Sequence, residues 1–121
     1  MKVFISTPMK NRTCEQIEAY RAKQKAIVEA MVGESVEVID SVIADAEPQG
    51  DERIWYLGAA LQLMAQADAV VVPCEHIRYE FTGCKIEYEV AREYQKQVVE
   101  MPYLPEDSDI MKGIYPQSDW T

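Results

Sequence analysis

The chain of 121 residues lacks a long hydrophobic run and shows no sign of a secretion signal. No apolar stretch approaches the roughly 18 residues that a membrane-spanning helix requires, so we expect no membrane partner. The opening MKVFISTPMK has neither the long apolar core nor the small-residue cleavage site of a signal peptide. These features predict a cytoplasmic location.

Positive charge and cysteine are also scarce. Twelve Lys and Arg stand against twenty-one Asp and Glu, and the resulting net charge of −9 disfavours binding to a nucleic-acid backbone. Three cysteines form an odd set without a Cys-x-x-Cys spacing, as expected for a reduced intracellular protein. Cys74, His76 and Cys84 make a partial zinc set, but no fourth ligand is in view, so we predict no metal site.

The hydrophobic pattern that is present alternates between strands and helices. The predicted strands are VFIS (3–6), VEVI (36–39), AVVVP (69–73) and QVVE (97–100), with a helix in each interval. This β-α-β-α-β-α-β order predicts an α/β domain over residues 1–101, a Rossmann/flavodoxin-like three-layer sandwich. Its four-stranded parallel sheet is expected to have the order 2-1-3-4, with helices on both faces.

The predicted helices carry clear end signals. Thr13-Cys-Glu-Gln16 matches a capping box, and Gly33 is placed to end the first helix. Asp51 is the expected cap of the second helix. Residues 41–50 are predicted to be a polar connection between the second strand and that helix.

The segment before the third helix and the helix itself give two further expectations. Residues 74–82 read as a polar and aromatic loop, and the helix is expected to begin near Thr82 or Gly83. The apolar positions Ile86, Val90 and Tyr94 are predicted to line its inner face.

The C-terminal tail, residues 102–121, has no clear period. It contains three prolines, and its aromatic residues are too apolar for a simple linker: Tyr103, Tyr115 and Trp120. Two interpretations stay open, a strap that packs on its own domain and an arm that reaches a partner subunit.

A ligand in an open α/β sheet binds beyond the carboxyl ends of the strands, where the strand order reverses. With order 2-1-3-4 this crevice lies between the first and third strands, framed by the loops 6–12 and 74–82. The first loop leads into a helix N-terminus, where Ser6, Thr7, Lys10 and Arg12 could hold an anion. No GxxxxGK[ST] or GxGxxG motif is present, which disfavours nucleoside triphosphates and dinucleotides. The alternative is a solvated loop with two surface charges.

Glu87 is the carboxylate that helix geometry singles out. It falls at the end of the first turn of the third helix, and helical side chains tilt toward the N-terminus, so it can point into the crevice. The helix dipole favours its ionised form, which a nucleophile needs. Gly83 permits close approach of a ligand. Glu89 lies about 200° further round the helix and is expected to face solvent; a solvent-facing side chain is also the alternative for Glu87.

Two segments of the chain together resemble nucleoside 2-deoxyribosyltransferases and related N-glycosidases, over about residues 1–101. MKVFISTPM is similar to their opening strand and the Pro-containing turn after it. ADAVVVP followed by GCKIEYEVAREYQKQVV is similar to their third strand, the Gly-x-x-x-Glu-x-x-x-Ala start of a helix, and the next strand. The family's nucleophilic glutamate falls on Glu87, with Gly83 and Ala91 at the flanking positions.

The pattern is closer still to a group of uncharacterised bacterial and phage proteins within that superfamily. These proteins share VEVID, the Trp-Tyr-Leu-Gly at residues 55–58, and Gly-Cys-x-Ile-Glu. They often carry Arg where this chain has Thr82. Characterised transferases have Gly at the position of Glu89, and a second carboxylate before the helix, for which Glu75 and Glu80 are the candidates here and His76 a weaker one.

The resemblance implies N-glycosidic bond chemistry on a 2-deoxynucleoside or its 5′-monophosphate, without a metal or an organic cofactor. Glu87 would attack the anomeric carbon, and Glu80 or Glu75 would protonate the departing base. The resemblance also implies a homo-oligomer, a dimer or higher, in which a neighbouring subunit closes the pocket. The residues expected to hold the substrate are Ser6, Thr7, Pro8, Met9, Lys10, Arg12 and Gly83.

Two other classes of function are alternatives. The fold could keep the crevice as a nucleotide-binding or sensor module without turnover, an interpretation for which Glu89 and Thr82 leave room. A purely structural, phage-associated protein would need no convergence of Glu87 with the loop after the first strand.

Overall fold

A computed structural model of the protein describes residues 1–10, 12–40, 47–105 and 107–114. Most of the predicted connection 41–50 and the end of the predicted tail, including Tyr115 and Trp120, lie outside the described residues. The strands are β1 (Lys2–Ile5), β2 (Glu37–Val38), β3 (Ala69–Val72) and β4 (Gln97–Glu100). The helices are α1 (Cys14–Val32), α2 (Glu52–Met64), α3 (Glu75–Arg78), α4 (Thr82–Glu93) and α5 (Asp107–Ile114).

The sheet has the predicted topology. All neighbouring strands pair in parallel, and their order is β2-β1-β3-β4. Val3 pairs with Ala69 across β1 and β3, and Val70 pairs with Val98 across β3 and β4. The prediction of a four-stranded parallel α/β sheet of order 2-1-3-4 is therefore confirmed.

Two core layers cover the two faces of the sheet, because successive side chains of a strand point to opposite faces. Val3, Ile5 and Val71 pack in one layer, which contains residues of α1, α3 and α5. Phe4 and Val70 pack in the other layer, which contains residues of α2 and α4. Helices on both faces explain why β3 is an uninterrupted run of buried apolar residues.

The predicted helix ends are confirmed. Thr13 Oγ1 accepts a hydrogen bond from the Gln16 amide at 3.1 Å, and Gln16 Oε1 accepts one from the Thr13 amide at 2.8 Å. Gly33 ends α1 with a left-handed φ of 75°. Asp51 accepts hydrogen bonds from two backbone amides at the start of α2.

Two local predictions are wrong. The segment 74–82 is not only a loop, because residues 75–78 form the short helix α3. The most buried residues of α4 are Cys84, Glu87 and Ala91, whereas Tyr94 follows the helix and is 77% exposed. Of the three predicted residues, Val90 is half-buried and packs against the core, Ile86 is half-buried, and the prediction for Tyr94 is wrong. The prediction missed that α4 also buries a cysteine and a carboxylate.

The described part of the tail packs against the core of the α/β domain. Residues 107–114 form α5, and Ile110 and Met111 are buried in the layer that contains α1. The Leu104 amide donates to Asp107 Oδ2 at 2.7 Å, which caps the start of this helix. Among the described residues, no helix is both long and apolar enough to cross a membrane.

The turn after α4 holds a non-glycine residue in the left-handed region. Gln95 has φ 59°, and the amides of Gln95 and Lys96 donate to Arg92 and Ala91. This is the Schellman arrangement, in which glycine is the usual residue. We expect Gln95→Gly to increase the free energy of unfolding by up to about 1 kcal/mol in urea titration, because the side chain is strained at positive φ.

The matched control is Gln66→Gly in the exposed turn after α2, where the φ angle is not in the left-handed region. The same substitution should lower stability there, because glycine only adds freedom to the unfolded chain. A loss of stability at both positions would contradict the interpretation of Gln95.

Candidate active site

Glu87 lies against the end of the first strand. Ser6 Oγ donates a hydrogen bond to Glu87 Oε1 at 2.8 Å, across 81 positions of sequence. Glu87 is 7% exposed and Ser6 is 1% exposed. The contact therefore joins the residue after β1 to the first turns of α4, at the reversal of strand order where ligands of this architecture bind.

The backbone holds both residues after β1 in place. The Ser6 amide donates to the Val71 carbonyl at 2.8 Å, which continues the pairing of β1 with β3. Thr7 Oγ1 donates to the Ile5 carbonyl at 2.9 Å. Pro8 follows as a buried residue and has no amide hydrogen to satisfy. The Ser6 hydroxyl is thus presented from a rigid position.

Arg21 brings a cation to this group from α1. Its Nε donates to Thr7 Oγ1 at 3.3 Å, and its NH1 lies 3.5 Å from Asp40 Oδ1. Asp40 follows β2 and its side chain is 80% exposed, so this ion pair adds little to stability. The end of β1 therefore supplies the hydroxyls of Ser6 and Thr7, and α1 supplies the guanidinium of Arg21. The carboxylates of Asp40 and Glu87 come from the end of β2 and from α4.

The surroundings of Glu87 alter its proton affinity. Burial raises the pKa of Glu87 from 4.5 to about 7, while the Ser6 hydrogen bond and the Arg21 charge act in the opposite direction. The expected effect of the helix dipole is therefore outweighed by desolvation. A carboxyl group with a pKa near neutrality can either attack as an anion or transfer a proton.

Cys84 lies in the same group, one helical turn before Glu87. Burial and, to a smaller extent, the charge of Glu87 raise the pKa of the Cys84 thiol to about 12, while the contact with Ser6 acts in the opposite direction. Its thiol therefore stays protonated at neutral pH, which makes Glu87 rather than Cys84 the nucleophile candidate of α4.

The structure does not bring all predicted substrate-binding residues to Glu87. Met9 and Lys10 are exposed beyond the buried turn. Arg12 is partly buried, lies over the Tyr20 ring at 5.8 Å, and lines a separate cavity between α1 and the 104–110 segment. Gly83 is exposed in the first turn of α4, and a Cβ there would meet no atom within 4 Å.

The predicted proton donors before α4 are at the surface. Glu75 and His76 begin α3 and line an open groove with Met31 of α1, a groove that Glu87 does not line. The His76 ring packs edge-on to Tyr103 at 5.6 Å. Glu80 is exposed in the turn after α3.

Sequence reasoning missed Arg21 and Arg78. Arg21 lies on α1, and only the proximity of the ends of β1 and β2 brings it to Thr7 and Asp40. Arg78 is 3% exposed; its NH1 donates to the Pro73 carbonyl at 3.1 Å, and its guanidinium lies 3.9 Å from the centre of the Tyr88 ring. No sequence signal separates this buried arginine from a surface one.

Comparisons with models of protein families, with curated proteins and with solved structures find no match to this chain. Across the described residues, no group of three or more His, Cys, Asp or Glu side chains is arranged to hold a metal ion. The geometry around Glu87 therefore carries the functional argument.

The raised pKa of Glu87 predicts a specific dependence of stability on pH. The folded state keeps the proton up to about pH 7, whereas the unfolded chain releases it near pH 4.5. The Glu87 proton therefore contributes fully to the free energy of unfolding below pH 4.5. This contribution, on the order of 3 kcal/mol, is lost as the pH rises through 7. Glu87→Gln should remove this component, so that stability measured by urea unfolding between pH 5 and pH 8 depends less on pH.

Glu89→Gln is the matched control, since Glu89 is exposed on the same helix. It should leave the wild-type pH dependence unchanged. Identical pH profiles for wild type and Glu87→Gln would show that the Glu87 carboxyl titrates like an exposed one.

Proposed function

We propose that this protein is a cytoplasmic enzyme of the nucleoside 2-deoxyribosyltransferase-like class, which cleaves the N-glycosidic bond of a 2-deoxynucleoside or its 5′-monophosphate. The observation that supports this most is the Ser6–Glu87 hydrogen bond of 2.8 Å at the reversal of strand order. One carboxylate oxygen, Oε1, accepts a hydrogen bond from a buried hydroxyl, and we assign the attack on the sugar to the other oxygen.

The proposed reaction has two steps. Ionised Glu87 forms a bond to the anomeric carbon as the bond from that carbon to the base nitrogen breaks, and the bonding electrons leave with the base. A carboxylic acid protonates the departing base, and Glu80 and Glu75 stay the predicted donors. Water then attacks the anomeric carbon, the bond from that carbon to Glu87 breaks, and the proton of the water passes to the carboxylate that protonated the base. Attack of a second base instead of water would make the protein a transferase.

The electrostatics of Glu87 suit this chemistry. A pKa of about 7 leaves a substantial ionised fraction at neutral pH. The developing oxocarbenium ion is cationic, so it stabilises the anionic carboxylate in the transition state more than in the free enzyme. The buried surroundings strengthen that attraction because water does not screen it.

Arg21 and the start of α4 are the features we assign to substrate binding. Arg21 lies beside Thr7 and can pair with a sugar oxygen or a 5′-phosphate. Phe81 caps α4 without a side-chain hydrogen bond, which leaves amides of the first turn for a ligand. The open space around Gly83 lets a ligand approach that turn.

A sensor without turnover is the second candidate. The 7% exposure of Glu87 favours it, because a nucleophile must reach the anomeric carbon. In that case the same residues would bind a nucleotide, and the neutral carboxyl group would act as a hydrogen-bonding partner of the ligand.

Incubation with a panel of 2-deoxynucleosides and their 5′-monophosphates tests the proposal. We expect release of free base, detected by chromatography, and a decrease of at least about a thousandfold in kcat for Glu87→Ala. Glu80→Gln and Glu75→Gln identify the proton donor, since only the variant that lacks it should lose activity toward bases that leave poorly.

Glu89→Gln again serves as the control and should retain wild-type turnover. Binding without base release, equally strong in Glu87→Gln, would support the sensor. Base release that survives Glu87→Ala would refute the assignment of the nucleophile.

We also propose that the protein forms a homo-oligomer. In support, α2 is rich in apolar residues, yet Met64 is the only one of them that is fully buried. Ile54 is 70% exposed, and a second copy of this helix would cover it.

Light scattering should therefore give at least twice the 13.8 kDa of one chain. Ile54→Lys should shift the mass toward that of a monomer, because it places a charge in the proposed interface. The control Glu52→Lys, in the exposed first turn of α2, should leave the mass unchanged. A wild-type monomer would exclude this oligomer.

A further inference from the structure

The open groove beside α3 is a surface that the candidate active site does not use. Its walls come from the second half of α1, from the start of α3 and from residues 100–103 after β4, and Glu87 does not line it. Its volume is about 1130 Å³, above the roughly 300–1000 Å³ of a pocket for a small molecule. The size therefore favours a segment of a macromolecule as its occupant.

Large apolar side chains are exposed in this groove. Met31 is 59% exposed and Tyr103 is 51% exposed. Ile27 lies one helical turn before Met31 on the same side of α1, and the buried Met101 adds apolar surface from the end of β4. Single exposed apolar residues are common on proteins, whereas several that share one groove mark an interaction site.

The walls of the groove are held together without a partner. The His76 ring of α3 packs edge-on to Tyr103 at 5.6 Å. The Met101 amide donates to the Val72 carbonyl at 2.9 Å, which continues the pairing of β4 with β3 past the end of the strand. A partner would therefore meet a preformed surface, and little ordering of the protein would oppose its binding.

The charges of the groove are acidic. Glu75 and Glu100 line it, and none of the described residues that line it is a lysine or an arginine. Glu100 Oε1 lies 3.4 Å from NH1 of the buried Arg78, whereas Glu75 makes no salt bridge and no side-chain hydrogen bond with a described residue. With a net charge of −9 on the whole chain, a second copy would be repelled here and a basic partner attracted.

The combination of apolar surface and negative charge specifies the chemistry of the partner. A helix with apolar residues at i, i+3, i+4 and i+7 presents them as one stripe, and such helices bind in apolar grooves of other proteins. A lysine or arginine beside the stripe would reach the carboxylate of Glu75. Both features are needed, since charge alone would not cover the exposed Met31 and Tyr103.

We propose that this groove docks a basic amphipathic helix of a partner protein. The apolar stripe of that helix packs on Ile27, Met31 and Tyr103, and a lysine or arginine next to the stripe pairs with Glu75. The inference does not depend on the proposed glycosidic activity, because docking is measured without turnover.

Fluorescence anisotropy with the full-length protein and three labelled peptides tests the proposal. The probe is a helical peptide of about 15 residues with leucine on one face and lysine on the other. One control peptide replaces every lysine by glutamate, and the second replaces every leucine by glutamine. We expect the leucine and lysine peptide to bind 1:1 with a Kd below about 100 μM, and each control peptide to bind at least about tenfold more weakly.

Two variants locate the binding in the groove. Met31→Lys places a charge on the apolar wall at an exposed position and should raise the Kd of the probe about tenfold or more. Its matched control is Tyr94→Lys, which adds the same charge at an exposed apolar residue outside the lining and should leave the Kd nearly unchanged. Glu75→Gln should raise the Kd about twofold to fivefold, and the exposed Glu89→Gln should not.

Three outcomes would overturn the proposal. The first is failure of the leucine and lysine peptide to bind, or equal binding by the glutamine control, which would reflect only the net charge of the protein. The second is an equal Kd for Met31→Lys and Tyr94→Lys, because the peptide would then lie elsewhere. The third is a lower mass of Met31→Lys than of Tyr94→Lys in light scattering, because a second copy of the chain would then occupy the groove.

Discussion

The hydrogen bond from Ser6 to Glu87 is the contact on which the candidate active site depends. It connects the end of the first strand to the first turns of α4, and it exists only because β1 and β3 are neighbours in the sheet. The Ser6 amide is already fixed by the Val71 carbonyl, so the hydroxyl has little freedom to move away. A buried carboxyl group without such a donor would be costly, which makes this pair a constraint on both folding and chemistry.

The same burial sets the chemistry. Desolvation raises the pKa of Glu87 toward neutrality, and Ser6 and Arg21 limit the increase. At neutral pH the buried carboxyl group therefore lowers the stability of the folded protein, and it exchanges its proton readily. Cys84 contributes to this balance by packing beside Glu87 as a neutral group, because its own raised pKa keeps the thiol protonated.

The strands and helix ends could be predicted because they rest on local rules. The run of valines in β3, the capping box at Thr13 and the cap at Asp51 each report their structure within a few residues. The helices α3 and α5 could not be predicted in this way. α3 is a single turn without a period of its own, and α5 is stabilised by the burial of Ile110 and Met111 against a core that the sequence does not display.

The sequence by itself determined the succession of strands and helices along the chain, because it follows from hydrophobic spacing. It also determined the position of Glu87 in the first turns of α4, because that follows from helical geometry. Only the tertiary structure decided which groups surround that carboxyl. Arg21 reaches Thr7 from a helix position that looks solvent-exposed in the sequence, and Gln24 on the same helix lines a cavity instead of an apolar core. These pairings join residues from separate elements, and their distances depend on how the helices cross the sheet, which no local pattern encodes.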